Sequence, residues 1–169
     1  MQRELKKLLQ LAYSAERAAS FAYQGHAASV SNIEDKLIIK SIEDDEWYHR
    51  KEVLEIMRQY NIDVNKFYEI KYYVIGKIIS YSCYILGWFI PMYFAGRLES
   101  GNVNEYFRMI ELFHELNIFE HDNLLKNLGE KEKEHEVYFL EKIREHRLLP
   151  FFERIFGWGA SKSFNNIEL

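Results

Sequence analysis

The sequence predicts an all-α protein, an antiparallel four-helix bundle with an extra apolar helical segment (about 67–88) in the crossover and a short C-terminal helix. Three observations carry this. Apolar residues recur every three or four positions along four long stretches, the period of a helix buried on one face. The strict alternation of a half-buried strand is nearly absent. Only two prolines, Pro91 and Pro150, interrupt 169 residues.

The first core helix is expected at about 2–29, with the stripe Leu5, Leu9, Ala12, Glu16, Ala19, Tyr23, Ala27, Val30. Ser31-Asn32 breaks the pattern, and a second helix at about 32–60 carries Ile39, Ile42, Glu46, His49, Val53, Ile56 and Tyr60. Asn61-Ile62-Asp63 ends it and supplies a cap for the next segment. Residues 72–95 are apolar or aromatic nearly throughout, with Lys77 the only charge, and Gly87, Trp88 and Pro91 predict a break there. A third core helix restarts at about 90–116, its stripe Met92, Ala95, Glu99, Val103, Tyr106, Ile110, Phe113. Asn117 turns the chain into a fourth helix at about 119–147, with Leu125, Leu128, Glu132, His135 and Phe139 inward. After Pro150, Phe151 to Trp158 reads as a short apolar helix ahead of a polar tail.

The whole chain, 1–169, reads as one domain, long enough to bury a core without disulfides. A net charge of −4 with acids and bases interspersed lacks the clustered basic face of a nucleic-acid binder, so no such partner is expected. The single cysteine, Cys83, excludes an intramolecular disulfide and a cysteine-based metal site, and reads as a small buried hydrophobe. The amphipathic N-terminus lacks an uninterrupted apolar run, which points to a cytoplasmic protein.

Acids stand on these buried stripes. Glu16 is the only acid between Glu4 and Glu34, and Glu99 the only one between Glu69 and Glu105. A lone carboxylate on an apolar stripe is costly unless it is paired or bound to a cation. Glu-x-x-His puts both side chains on one helix face, and the spacing occurs at Glu46/His49, Glu111/His114 and Glu132/His135. Depth chooses among them. Taking the turns near 31 and 117, Glu16, Glu46, Glu99 and Glu132 lie at similar depth in their hairpins. Glu111 is close to its turn, roughly 18 Å from the Glu99 level at ~1.5 Å per residue. In the run Glu-Lys-Glu-Lys-Glu-His-Glu, Glu130 or Glu134 could replace Glu132, but only Glu132 stands three residues before His135. One Glu on each of two helices and Glu-x-x-His on each of the other two is the ligand set of a carboxylate-bridged di-metal centre. The metal site is therefore read as Glu16, Glu46, His49, Glu99, Glu132 and His135, suited to two iron ions or to manganese. Around it, Asp45 is a candidate to hold His135 and is equally readable as a surface acid. Tyr23 and Tyr138 are candidates to line the site, and His26 to stand behind the Glu16 face. His114, His121 and His146 read as surface or capping residues.

In ligand order and spacing, residues 1–147 resemble the ferritin-like di-iron carboxylate proteins. The long apolar insertion between His49 and Glu99 and the apolar tail make the chain most similar to the demethoxyubiquinone hydroxylase branch. Bacterioferritins have a shorter link between hairpins, and rubrerythrins carry a cysteine module absent here. The resemblance implies a di-iron oxidoreductase that activates dioxygen or peroxide, with an external electron donor and a hydrophobic, quinone-like substrate, as in a monooxygenase. Two other functions stay open: a ferroxidase or peroxide-scavenging protein, and a non-catalytic helical interaction protein whose acids are surface charges. The 72–96 segment reads as a buried helix, a peripheral contact with a membrane surface, or a homodimer interface. Ser80, Ser82, Gly87 and Pro91 argue against a span.

Overall fold

A computed structural model describes residues 2–160; Met1 and residues 161–169, most of the expected polar tail, lie outside the described residues. Among the described residues there are six helices and no strand: α1 (Arg3–Ser29), α2 (Ile33–Gln59), α3 (Lys66–Ser82), α4 (Phe89–His114), α5 (Asp122–Ile143) and α6 (Leu149–Phe156). The turns follow from local chemistry. Asn32 caps α2 by accepting from Asp35 N at 3.0 Å. Asn61 and Asn117 close α2 and α4 with positive φ, 52° and 58°, a conformation asparagine tolerates. Asn65, rather than the 61–63 segment, caps α3 through the amides of Phe67 and Tyr68. Pro91 sits in the first turn of α4, where its missing N–H has no intrahelical partner to lose.

Short turns fold α1 onto α2 and α4 onto α5 as two hairpins, which pack into a helical bundle. The apolar core lies in two clusters. One gathers Ala19, Tyr23, Ile39, Ile42, Met92, Tyr93, Phe139 and Ile143; the other Leu5, Leu9, Val53, Ile56, Met109, Phe113, Leu125 and Leu128. Along every core helix the acids and histidines of the sequence pattern fall between the two. The fourth stripe matches expectation, whereas on α4 Met109 and Leu112 are fully buried in place of the half-buried Val103 and Ile110.

The crossover helix α3 lies against α1 at a close approach of backbones. A Cβ on Gly25 would strike Ser80, and one on Gly76 would strike Ala18. Charge locks the other end of α3. Arg50 donates to both Glu69 oxygens, at 3.1 and 2.7 Å, and to Tyr13 O, while Ser14 Oγ donates to Glu69 Oε1 at 2.8 Å. Burial alone would raise the Glu69 pKa, but these hydrogen bonds hold it below its ordinary value. The opposite face of α3 and the turn beyond it expose Phe67, Ile70, Val74, Ile78, Tyr81 and Ile85. No helix of the described residues is long and apolar enough to cross a membrane.

The C-terminal segment is pinned to the second hairpin. Tyr93 Oη donates to Trp158 O at 2.6 Å, and Trp158 Nε1 donates to Glu136 Oε1 at 2.8 Å. Trp158 itself lies beyond α6, outside the helix expected to contain it. His121 stands at the N-cap position of α5, one of its two expected readings, but it is buried beside Tyr60, its Nε2 2.8 Å from the phenol oxygen, which corrects the other, a surface residue.

Gly25→Val is expected to push α3 off α1 and destabilise the chain by about 3 kcal/mol, the upper range for overpacking. Denaturant unfolding followed by circular dichroism checks this; an unchanged midpoint would count against the close α1/α3 packing.

Candidate metal centre

Midway along the bundle each core helix turns polar side chains inward. Glu16 comes from α1, Glu46 and His49 from α2, Glu99 from α4, Glu132 and His135 from α5, and all six are buried. They form two overlapping groups. Donor atoms of Glu16, Glu46, His49 and Glu132 lie within 4.8 Å of one another, and so do those of Glu46, Glu99, Glu132 and His135. Glu46 and Glu132 belong to both. The neighbours that could have replaced Glu132 point to solvent: the side chains of Glu130 and Glu134 are 57% and 69% exposed, against 0% for Glu132. The Glu111/His114 spacing is a surface pair, with Glu111 on Arg108 and His114 on Asp122 at 2.8 Å.

Hydrogen bonds fix most of the group from outside. Asp45 Oδ2 lies 3.0 Å from His135 Nε2, which turns the other ring nitrogen inward. That nitrogen, Nδ1, faces Glu46 Oε1 at 3.7 Å and Glu132 Oε2 at 4.0 Å. His49 Nδ1 lies 2.7 Å from Glu132 Oε1. Tyr23 on α1 donates to Glu99 on α4, and Tyr106 on α4 donates back to Glu16 on α1 at 2.5 Å. Asn102 Nδ2 donates to Glu99 at 3.2 Å and to Glu132 at 3.3 Å.

Two of these partners escape sequence reasoning. Asn102 stands three residues after Glu99, and Tyr106 sits on the stripe as an apparent core residue. A signal existed for Tyr106: it follows Glu99 by seven positions, as Tyr23 follows Glu16. Tyr138, by contrast, turns away from the group and donates to Asp35 at 3.0 Å, because its ring lies on the α2 side of α5. His26 does not touch the group; it is buried one turn beyond Tyr23, stacked on Tyr23 and Phe139.

Does this set fit a metal? Glu16 Oε2, both oxygens of Glu46 and His135 Nδ1 are buried without a hydrogen-bond partner. Carboxylates at about 4 Å repel by about 4 kcal/mol per pair at an effective dielectric constant near 20. Burial, and then the neighbouring carboxylates, push the pKa of Glu46 and of Glu99 well above the ordinary value. Burial raises that of Glu132 to about 8. Divalent cations offset both costs at once. The donors are hard carboxylate oxygens and imidazole nitrogens, with no thiolate, which suits iron or manganese. These buried glutamates and histidines could hold a metal ion, and the unpartnered atoms are where one would be met.

Beside the group, against Tyr23, lies a cavity of about 380 Å³ between α1, α4 and the turn after α3, lined mostly by apolar side chains such as Ile79, Leu86, Phe94 and Leu98. The chain matches no protein-family model, no curated protein and no solved structure.

Two outcomes follow for the metal-free protein. A carboxyl whose pKa is raised by folding keeps its proton in the folded state where the unfolded chain has lost it, so stability falls as pH rises from about 4.5 through about 8. His26, buried and lowered from 6.5 to about 4, acts in the opposite sense below 6.5. The clean window is therefore pH 6.5 to 8, where the thermal midpoint of chelator-treated protein should drop. Saturating Mn(II) should flatten that slope, and a slope of the same size with metal would argue that cations do not enter the group. Second, Glu46→Gln breaks no protein hydrogen bond, since neither oxygen meets a donor. At pH near 8 it should stabilise the metal-free chain by about 1–3 kcal/mol while lowering metal content, measured by calorimetry and elemental analysis.

Proposed function

We propose that this chain is a ferritin-like di-iron carboxylate protein, an oxidoreductase that acts with dioxygen or peroxide on a hydrophobic, quinone-like molecule. One observation carries the reading: the two four-residue groups share Glu46 and Glu132 while each keeps a glutamate and a histidine of its own. Such a donor set would suit two adjacent cations, with Glu16 and His49 available to one, Glu99 and His135 to the other, and Glu46 and Glu132 to both. When bound, the iron pair, or manganese in its place, would supply the redox chemistry that no side chain here possesses.

The chain's own residues do the rest. Asp45 fixes the ring of His135 so that Nδ1 is free to face a cation. Tyr106 holds one oxygen of Glu16 and leaves Oε2 without a partner, where it would be free to face a cation, while Tyr23 and Asn102 each hold one oxygen of Glu99. The apolar clusters on either side keep water from the group. Electrons come from outside, since the sequence carries no glycine-rich nucleotide fingerprint and a single cysteine. The apolar cavity beside Tyr23 favours an organic substrate over a ferroxidase or peroxide scavenger. The exposed apolar face of α3 would be where a membrane surface or a second copy of the chain is met.

Protein purified from iron-replete cells should contain about two irons per chain, read by elemental analysis. Zinc, or no stoichiometric metal, sinks the reading. With iron present, reductant-dependent oxygen uptake should rise on adding a hydrophobic quinol; uptake that depends on Fe(II) alone and yields ferric iron would favour the ferroxidase.

A further inference from the structure

At the pole of the bundle where α2 ends and α5 begins, three polar side chains converge that the buried acidic group does not use. Tyr60 stands at the C-cap of α2 and His121 at the N-cap of α5, with Glu120 directly before it. Tyr60 Oη lies 2.8 Å from both Glu120 Oε1 and His121 Nε2, and the third edge of the triangle, Nε2 to Oε1, is 3.3 Å. The imidazole is fixed by packing: its ring lies 4.7 Å from that of Phe113 and 5.5 Å from that of Tyr60, centroid to centroid. All three side chains line an open groove with Gln59 and Leu124, so the triangle is reached from solvent.

Two protons hold this triangle together when no cation is bound. The phenol donates to Glu120, which leaves Nε2–H to donate to the phenol oxygen. One cation can take the place of both. Donor atoms about 2.0–2.2 Å from a single ion stand roughly 2.8–3.1 Å apart at octahedral angles and roughly 3.3–3.6 Å apart at tetrahedral ones. Edges of 2.8, 2.8 and 3.3 Å therefore fit three ligands on one face of a coordination sphere. Burial lowers the His121 pKa, so the imidazole is neutral near pH 7 and has a lone pair to offer. Burial, with the Glu120 carboxylate beside it, pushes the Tyr60 phenol up to about 12. Displacing that proton takes a strongly acidic ion, and two oxygens with one imidazole and no thiolate suit a hard one.

We propose that Tyr60, Glu120 and His121 form a separate surface site for ferric iron, held by phenolate, carboxylate and imidazole with water completing the shell. As the ion enters, the phenol proton leaves to solvent and the imidazole proton moves to Nδ1, freeing Nε2. His121 lies eleven residues before Glu132 on α5, on the order of 16 Å along the helix, so the site shares no ligand with the buried group. It stands without the function proposed above.

Titrating the full chain with ferric nitrilotriacetate tests the site, because a phenolate bound to iron(III) gives a visible charge-transfer band and its own resonance Raman lines. Wild-type protein should develop both. Tyr60→Phe, which keeps the ring packed on Phe113, should abolish them. Glu120→Gln should weaken ferric binding by more than the roughly 10–100-fold that losing a ligand's hydrogen-bond partner costs. Glu46→Gln should leave the band in place while lowering iron in the buried group. No band in the wild type, a band that survives Tyr60→Phe, or one that disappears with Glu46→Gln would overturn the proposal. Iron content separates the two ideas: the band without iron in the buried group keeps this site and removes the oxidoreductase, and buried iron without the band does the reverse.

Discussion

Four carboxylates meet in the middle of the bundle with too few donors to satisfy them, and the surrounding structure is arranged around that crowding. Each core helix runs apolar, polar, apolar, so the core is two clusters with an ionisable layer between. Such a layer lowers stability unless protons or cations enter it. Protons can, as the raised pKa values of Glu46, Glu99 and Glu132 indicate, but they leave the oxygens of Glu46 without donors. Cations satisfy charge and lone pairs together, and this is why the arrangement reads as a site instead of a packing defect.

The layer is built twice. A glutamate is followed seven residues later by a tyrosine on α1 and again on α4, and a Glu-x-x-His pair sits on each returning helix. The tyrosine bonds cross: Tyr23 reaches Glu99 while Tyr106 reaches Glu16, so each hairpin orients the other's lone carboxylate. The two halves then diverge. His135 is held from behind by Asp45, whereas His49 leans on Glu132, and only α1 carries the close-packed crossover helix. That asymmetry leaves the apolar cavity on one side of the layer, under the turn after α3.

The crossover helix thus has two faces with different duties. Its small residues fit against α1, and Glu69 is locked by Arg50 next to His49, which ties the position of α3 to the helix that carries a candidate ligand. Its outer face stays apolar and exposed. The same helix leads into the turn that walls the cavity, so whatever covers the outer face lies close to the route inward.

Helix number, order and approximate ends were legible from periodicity and breakers, because a 3–4 apolar step has few readings other than a buried helix face. The six candidate ligands were legible too. Glu16 and Glu99 stood out as lone acids on apolar stripes, and depth in the hairpin removed Glu111, which proved to be exposed. Partners on other helices were not legible. Tyr106 and Asn102 looked like a core tyrosine and a polar neighbour, Tyr138 looked as good a candidate as Tyr23, and His26 carried no mark of an unmatched nitrogen. Spacing along one helix decides which side chains share a face, and that much the chain determines by itself. Which atoms meet across faces depends on the rotation and offset of helices far apart in sequence, so the crossed tyrosine bonds, the shared Glu46 and Glu132, and the cavity beside His26 were decided only when the two hairpins packed.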